Sequence, residues 1–283
     1  MANEVATKPK TGLQKFNAML ENTRTQEYLA SVLGEKKQTF VSNMVALVAS
    51  NKALSECDPS TIMFSCLKAS ALGLQLDPAL SQCWVIPFKD NKSGTTVATF
   101  QVGARAWVQL ALRTNMYKKI NVRDVREGEV VGEDFVSGEM TFKKLDKDRE
   151  KAPLAGYVAM FELTNGFSKQ LYMSVEELEA HAKRFSQTYR KGYGLWSDKE
   201  MRPAMYEKTC LKRLLSKYGV LSVEMQSALK SDFGVLGEND SVRYIDNEET
   251  AIDMDKAAAV SDKFSDFNEF MDAPDSNEQK ANK

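Results

Sequence analysis

The segment 183–196 (KRFSQTYRKGYGLW) combines the two kinds of side chain that proteins use to hold nucleic-acid strands. Four of its residues are basic, four are aromatic and none is acidic, and its two glycines argue against regular structure. Cationic groups neutralise phosphates, while aromatic rings stack on bases or fill subunit interfaces. We therefore expect Arg184, Arg190 and Lys191 to contact a polyanion, with Tyr189 either on a base face or against a neighbouring subunit.

The element that follows is a second concentration of positive charge. A helix is predicted over 199–218, because apolar residues recur with helical period and Gly219 follows as a stop signal. On a helical wheel, one side gathers the basic residues Arg202, Lys208, Lys212 and Arg213. A solvated basic face is the simpler interpretation of one such helix, but the same bias in the adjacent segment favours polyanion binding.

Two further basic sets come earlier in the chain. A strand predicted over 117–126 places Lys119 and Arg123 on one face. The loop KKLDKDREK offers Lys144 and Arg149 as phosphate contacts, although its three acids make a solvated hairpin end the simpler interpretation. Several basic surfaces in one domain fit a groove that follows a phosphate backbone.

The residues needed for catalysis are sparse. The sequence contains neither a GxxxxGK[ST] phosphate loop nor a GxGxxG fingerprint. The single histidine, His181, lies in a helix rich in Glu and Lys, where we expect it to be exposed rather than catalytic. The four cysteines form no CxxC pair, so we expect reduced, mostly buried thiols and no zinc site. We predict that the protein is not an enzyme and uses no cofactor or metal.

The charge of the chain is segregated along its length. Residues 1–237 contain 33 basic and 26 acidic residues, whereas residues 238–283 contain 5 basic and 13 acidic ones. A basic body favours a polyanionic partner, and the acidic end predicts a mostly disordered tail. The sequence lacks a signal peptide and a long apolar run, so we expect a cytoplasmic protein without membrane contact.

The order of predicted elements indicates an α+β fold. Helical periodicity extends from Gly12 to about Gly73, a run of strands follows, and Asn165-Gly166 is a hairpin signal. Ser174 and Glu177 form a capping box at the start of the next helix. We therefore predict a disordered N-terminus (1–11), one binding and oligomerisation domain (12–237), and an acidic tail (238–283).

Two blocks of the sequence resemble the RecT family of phage recombinases, especially those of prophages in Gram-positive bacteria. The first, 71–88 with 99–129, contains an apolar strand ending in Pro-Phe, a triplet opening a helix, and the strand end REGE. The second matches at Trp196, Met205, Lys208-Thr209 and Lys212-Arg213. The triplet, Ala104-Arg105-Ala106, adds Arg105 to the candidate DNA contacts; the family's large aromatic is Ala104 here.

The resemblance implies an ATP-independent protein that binds single-stranded DNA and anneals complementary strands during phage recombination. It implies rings or helical filaments of one chain, a phage exonuclease as partner, and a Rad52-like core in which a curved antiparallel β meander is crossed by a long helix. The sequence 264–272 (FSDFNEFMD) alternates aromatic and acidic residues. We interpret it either as a solubilising tail or as a docking peptide for the exonuclease or the host single-strand binding protein.

The expected mechanism is a basic groove that holds the phosphates of one strand and leaves its bases exposed for pairing. We then do not expect Tyr189 and Tyr193 to enclose a base, because an enclosed base cannot pair. The helices before residue 73 are the expected subunit contacts. Three alternatives stay open: an oligomeric protein for RNA or duplex DNA without annealing activity, a metal-dependent nuclease, and a structural oligomer whose basic faces meet acidic tails.

Overall fold

The computed structural model describes residues 11–77, 79–90, 93–192 and 194–245. The predictions for residues 1–10, for Tyr193 and for the acidic tail beyond residue 245, including 264–272, lie outside the described residues. Within the described residues, no helix combines the length and apolar character that crossing a membrane requires.

Five helices form the N-terminal part of the chain, as the periodicity predicts. They are α1 (Gly12–Glu21), α2 (Thr23–Leu33), α3 (Lys37–Ser50), α4 (Lys52–Ser55) and α5 (Pro59–Ala71). Side chains cap the starts of α1, α2, α4 and α5: in α5, Asp58 accepts a hydrogen bond from the Ser60 N–H, and Pro59 occupies the first turn. Their apolar faces enclose one core cluster around Phe16, Leu29 and Ile62.

Nine strands lie in the described residues. They are β1 (Cys83–Lys89), β2 (Thr96–Val102), β3 (Tyr117–Arg126), β4 (Val130–Asp134), β5 (Glu139–Phe142), β6 (Leu154–Leu163), β7 (Ser168–Ser174), β8 (Gly234–Leu236) and β9 (Val242–Tyr244). All the strand pairs whose registers are known are antiparallel. The α+β prediction is confirmed.

The predicted meander is divided among three sheets rather than forming one. The strand orders are β1-β2-β8-β9, β3-β6-β7 and β4-β5. The sequence pattern did not predict β4, whose five residues are all exposed and give no alternation of burial. It also missed the three-residue strands β8 and β9, which are too short to show a period.

Five more helices follow β2 in the part of the chain that the structure describes. They are α6 (Ala104–Leu112), α7 (Val175–Phe185), α8 (Gln187–Arg190), α9 (Arg202–Tyr218) and α10 (Val223–Ser231). The long helix α9 lies across β6 and β7, and the Cys210 thiol approaches the carbonyl oxygens of Tyr157 and Leu171 at 3.6 and 3.4 Å. Its apolar face fills the second core cluster, so the predicted crossing helix is present.

All four cysteines are buried and free, as predicted. Burial raises the pKa of the Cys66 and Cys83 thiols to about 12, so both carry their protons at neutral pH. A protonated thiol is a poor nucleophile and a poor metal ligand. These cysteines therefore serve as small apolar side chains in the two cores.

The ordered contacts of the body continue past Gly237. The Lys68 ammonium lies 2.6 Å from the Asp240 carboxylate, and the Arg243 guanidinium lies 2.6 Å from Asp90. The Asp90 side chain is only 2% exposed, so its charge depends on protein partners. The Arg243–Asp90 pair thus fastens β9 to the turn between β1 and β2.

We expect Arg243→Ala to lower the free energy of unfolding by about 1 to 3 kcal/mol, because it removes a cation from a buried carboxylate. Urea denaturation measures the change. The matched control is Lys151→Ala, which breaks an ion pair of similar length (2.7 Å to Asp148) between two exposed side chains and should cost less than about 1 kcal/mol. Equal losses in both variants would contradict the role given to burial.

Candidate nucleic-acid interface

Helices α7 and α9 bring three of the candidate cations together. The capping box of Ser174 and Glu177 fixes the start of α7, which places His181 and Arg184 in its last turns. Burial, together with the charges of Arg213, Lys212 and Arg184, lowers the pKa of His181 to about 4. His181 is half-buried against Phe185, with the two rings 4.6 Å apart, rather than exposed as predicted. We give the name α7–α9 cation cluster to Arg184, Lys212 and Arg213 together with His181.

A buried carboxylate holds the inner side of this cluster. Asp232 follows α10, its side chain is 0% exposed, and it accepts hydrogen bonds from the Val102 N–H at 2.8 Å and from Lys212 at 2.7 Å. Lys208 completes the group with its ammonium 3.8 Å from the same carboxylate. Both ammonium groups also lie over the Phe233 ring, at 4.4 and 5.6 Å from its centre.

Burial and pairing compete in this group. Burial alone would raise the pKa of Asp232, but Lys208, Lys212 and the Val102 N–H together hold it below its ordinary value. Burial lowers the pKa of Lys208, and Asp232 opposes that effect. Asp232 is therefore ionised at neutral pH and compensates the positive charge that α9 carries inward.

The structure places Lys208 on a buried side of α9, not on the accessible basic face that the helical wheel predicts. The wheel put Lys208 on a basic face available to a ligand, whereas the residue is only 8% exposed and Thr209 beside it is 7% exposed. Lys208 is buried because this side of α9 packs toward Asp232 and Phe233. These two residues lie beyond α10 in the sequence, so a helical wheel of α9 does not include them. Lys212 is 28% exposed and Arg213 is exposed, so these two retain access to solvent.

The segment 183–196 contains more regular structure than its glycines suggested, because residues 187–190 form the short helix α8. The Tyr189 and Trp196 rings are 6.3 Å apart, and Trp196 lies 5.7 Å from Tyr206 of α9. Tyr189 is thus packed against the core, which disfavours the base-stacking alternative within one chain. Trp196 is 7% exposed and anchors the end of the segment.

The basic residues of this segment and of the start of α9 differ in their exposure and in how far protein groups already occupy them. Arg190 is exposed, and one of its nitrogens donates to the Arg184 carbonyl at 2.9 Å at the end of α7. Lys191 is exposed as well. Arg202 donates to the Trp196 carbonyl at 2.7 Å and lies 3.5 Å from Glu179, so its guanidinium is occupied with the protein.

Lys119 and Arg123 lie on the opposite face of the β3-β6-β7 sheet from α9. In the β3–β6 register Arg123 pairs with Val158, whereas the neighbouring Tyr157 is buried toward α9. Lys119 forms an ion pair of 2.9 Å with Glu162 on that outer face. The two residues are exposed but separated from the α7–α9 cation cluster by the thickness of the sheet.

Arg149 lies in a network of protein acids. It donates to Glu129 at 2.7 and 3.1 Å and to the Asp124 carboxylate at 3.2 Å. These bonds raise the pKa of Arg149, and the hydrogen bond from Arg149 lowers that of Glu129. Arg149 fastens the loop after β5 to the end of β3, and Lys144 in the same loop is exposed.

Arg105 opens helix α6 and is exposed, with one hydrogen bond of 3.2 Å to the Leu80 carbonyl. Two residues later, Trp107 of the same helix lies 5.7 Å from the Lys212 ammonium. Helix α6 therefore adjoins the α7–α9 cation cluster at Lys212. The sequence pattern does not predict Asp232 as a partner of this cluster. The only signal is that an acid follows α10, the helix after the basic helix α9.

We expect Asp232→Asn to lower the free energy of unfolding by about 3 to 5 kcal/mol, because Lys208 would keep its charge in a buried site without a counter-charge. The double variant Asp232→Asn with Lys208→Met should recover part of this loss, since Met keeps the packing against Phe233. Urea denaturation of the four proteins of this cycle gives the coupling. A double variant no more stable than Asp232→Asn would contradict the pairing.

The depressed pKa of His181 predicts a pH dependence of stability. Between the unfolded value of 6.5 and the folded value of about 4, only the unfolded chain is protonated at this residue, so stability falls as the pH drops through this window. His181→Gln removes this contribution and should flatten the decline in the free energy of unfolding between pH 6.5 and 5. Parallel pH profiles of the variant and the parent chain would show that His181 is not buried beside cations.

Comparisons with known proteins agree with one another. The model of the RecT family matches residues 38–253. The chain is 35% identical over 241 residues to the uncharacterized protein YqaK of Bacillus subtilis, covering 82% of this chain and 79% of YqaK. It is 28% identical over 182 residues to protein RecT of Escherichia coli, covering 64% of this chain and 65% of that protein. This chain therefore belongs to the RecT family.

Proposed function

We propose that this protein binds single-stranded DNA and anneals complementary strands without nucleotide hydrolysis. Membership of the RecT family supports a role in recombination and strand annealing. The observation that carries the DNA site is that Arg184 on α7 and Arg213 on α9 are exposed and Lys212 on α9 is partly exposed, with all three charges acting on His181. Cations that meet at one surface attract phosphates more strongly than cations scattered over a fold.

The proposed strand contact runs along α6, α9 and α7. Its phosphate contacts are the accessible candidates on or next to those helices: Arg105, Arg184, Arg190, Lys191, Lys212 and Arg213. Lys212 is held at Asp232 by one bond, which leaves its other ammonium hydrogens for a phosphate oxygen. A side chain already ordered by the protein loses less freedom when it binds.

Other candidates receive different roles in this proposal. Lys208, Arg149 and Arg202 shape the fold around the site, because protein groups already occupy their donors. Tyr189 supports the segment through Trp196. Lys119, Arg123 and Lys144 lie outside the proposed strand contact; Lys119 and Arg123 belong to the outer face of the β3-β6-β7 sheet.

The mechanism follows from contacts to phosphate alone. Phosphate contacts fix the position of a strand but carry no sequence information, and they leave the base edges free. Binding also neutralises part of the strand's charge, which lowers its repulsion of a second strand. A complementary strand then pairs in register, so the protein needs neither ATP nor a catalytic residue.

The assembly and its partners form the remaining part of the proposal. We expect a cytoplasmic homo-oligomer that holds single strands and the annealed duplex. The acidic sequence after residue 245 supplies charge unlike that of the body, and aromatic residues at 264, 267 and 270 supply apolar anchors. We assign it to docking a phage exonuclease or the host single-strand binding protein.

We expect Arg213→Ala to weaken the binding of a single-stranded oligonucleotide and to reduce the slope of log affinity against log salt by about 0.7, the value of one lost phosphate contact. Fluorescence anisotropy at several salt concentrations measures both quantities. The matched control is Arg123→Ala, an exposed arginine on the other face of the sheet, which should leave the slope unchanged. A changed slope for Arg123→Ala alone would move the site to that outer face.

Annealing itself is tested with two dye-labelled complementary strands added in sequence, without ATP. The parent chain should accelerate pairing, and Arg213→Ala should do so less because it holds fewer strands. Binding of duplex DNA or RNA without accelerated pairing would contradict the annealing proposal and would favour a duplex- or RNA-binding protein.

A further inference from the structure

The hairpin of β4 and β5 ends in apolar side chains that are almost fully exposed among the described residues. Phe135 is 97% exposed and Val136 is 93% exposed, and Val131 on β4 is 57% exposed. Soluble proteins rarely present a phenylalanine and a valine side by side to water. We call Phe135 and Val136 the hairpin tip.

The hairpin tip is held in place rather than left loose. One oxygen of the Asp134 carboxylate accepts hydrogen bonds from the Val136 and Ser137 N–H groups at 3.0 and 2.7 Å. These bonds lower the pKa of Asp134, so the turn is fixed at neutral pH. Gly138 closes it at a φ of 64°, a conformation that glycine adopts at little cost.

The rest of the hairpin is fastened to strand β7. Gln170 donates to the Met140 carbonyl at 2.9 Å, and Lys169 donates to the Ser137 carbonyl at 2.6 Å. The Phe142 and Tyr172 rings are 6.0 Å apart. The two-stranded sheet therefore presents its tip at a defined position relative to the core.

The charge of the hairpin disfavours DNA as its partner. Residues 127–142 contain five acids and no basic residue, and Glu133, Asp134 and Glu139 are exposed. Such a surface repels phosphates. A protein surface that is apolar and carries a positive rim fits this hairpin better.

The same chain has such a surface elsewhere. An open cleft of about 430 Å³ lies where α3 and α4 meet β1, and its walls include Leu47, Ala53, Leu76, Trp84 and Val85. This volume is within the range of ligand clefts, about 300 to 1,000 Å³, and accepts an aromatic side chain. Lys52 stands at the cleft, is exposed, and has no ion pair among the described residues.

We infer that the hairpin tip of one copy inserts into the Leu47–Trp84 cleft of a second copy, with the acids of the hairpin facing Lys52. Because the tip and the cleft are different patches of one chain, each copy offers one of each, and the contact repeats from copy to copy. Such a contact produces a ring or a filament. This contact uses none of the cations assigned to DNA, so its test can fail while the proposed function holds, and the reverse.

The test uses the full chain and mass photometry over a dilution series without DNA. Phe135→Ser with Val136→Ser should raise the concentration at which assemblies dissociate by about tenfold or more, since two exposed apolar side chains no longer leave water. Ala53→Glu should do the same from the cleft side, because it places an acid where the acidic hairpin arrives. Val223→Ser, an equally exposed apolar residue on α10 (79% exposed), is the control and should change nothing.

Mixing the two variants distinguishes this contact from other geometries. The Ala53→Glu chain keeps its hairpin tip and the Phe135→Ser/Val136→Ser chain keeps its cleft, so an equal mixture should form pairs that grow no further. Normal assembly of Ala53→Glu, or of the hairpin variant, would overturn the inference. A hairpin variant that assembles normally but loses affinity for single-stranded DNA would also overturn it, and would place the hairpin on DNA.

Discussion

The Asp232 carboxylate is fully buried, and three parts of the chain depend on it: the end of β2, helix α9 and the segment after α10. Isolated charges are costly in a protein interior, so this carboxylate fixes where two lysines must lie. Phe233, held at a φ of 68° just after it, covers both ammonium groups. Asp232 helps to fix the position of α9 against the first sheet, because moving the helix would separate a fully buried carboxylate from its two lysines.

The same group determines which charges of α9 remain for a ligand. Asp232 accepts a hydrogen bond from the partly exposed Lys212 at 2.7 Å and lies 3.8 Å from the buried Lys208, whereas Arg213, next to Lys212, is exposed. The excess positive charge then accumulates beside α7, where it contributes to the low pKa of His181. Neutralising the inner lysines while Arg184 and Arg213 stay exposed concentrates the field at one surface, and a phosphate backbone responds to such concentration.

The sequence predicted the elements of this fold better than it predicted the site. Capping signals at Asp58-Pro59 and Ser174, the hairpin at Asn165-Gly166 and the stop at Gly219 are local chemistry, and each lies at an observed boundary. The environment of Lys208 and Arg149 depends instead on acids 24 and 20 residues away, which no helical wheel includes. Likewise, Lys119 and Arg123 match the basic pattern of α9, yet only strand pairing reveals that they face the other side of the sheet.

The acids of the chain have different roles at these separate surfaces. The buried or paired acids, Asp232, Glu129 and Asp124, compensate particular cations, whereas those of residues 127–142 that stay exposed surround the hairpin tip. In the proposed arrangement, a strand bound at α7 and α9 would be repelled from the hairpin, so DNA and a second copy of the chain would not compete for one surface. Salt also affects the two contacts differently, since it screens phosphate binding strongly and apolar burial hardly at all. Under these two proposals, a single chain would therefore exchange a charged strand while its neighbours stay assembled.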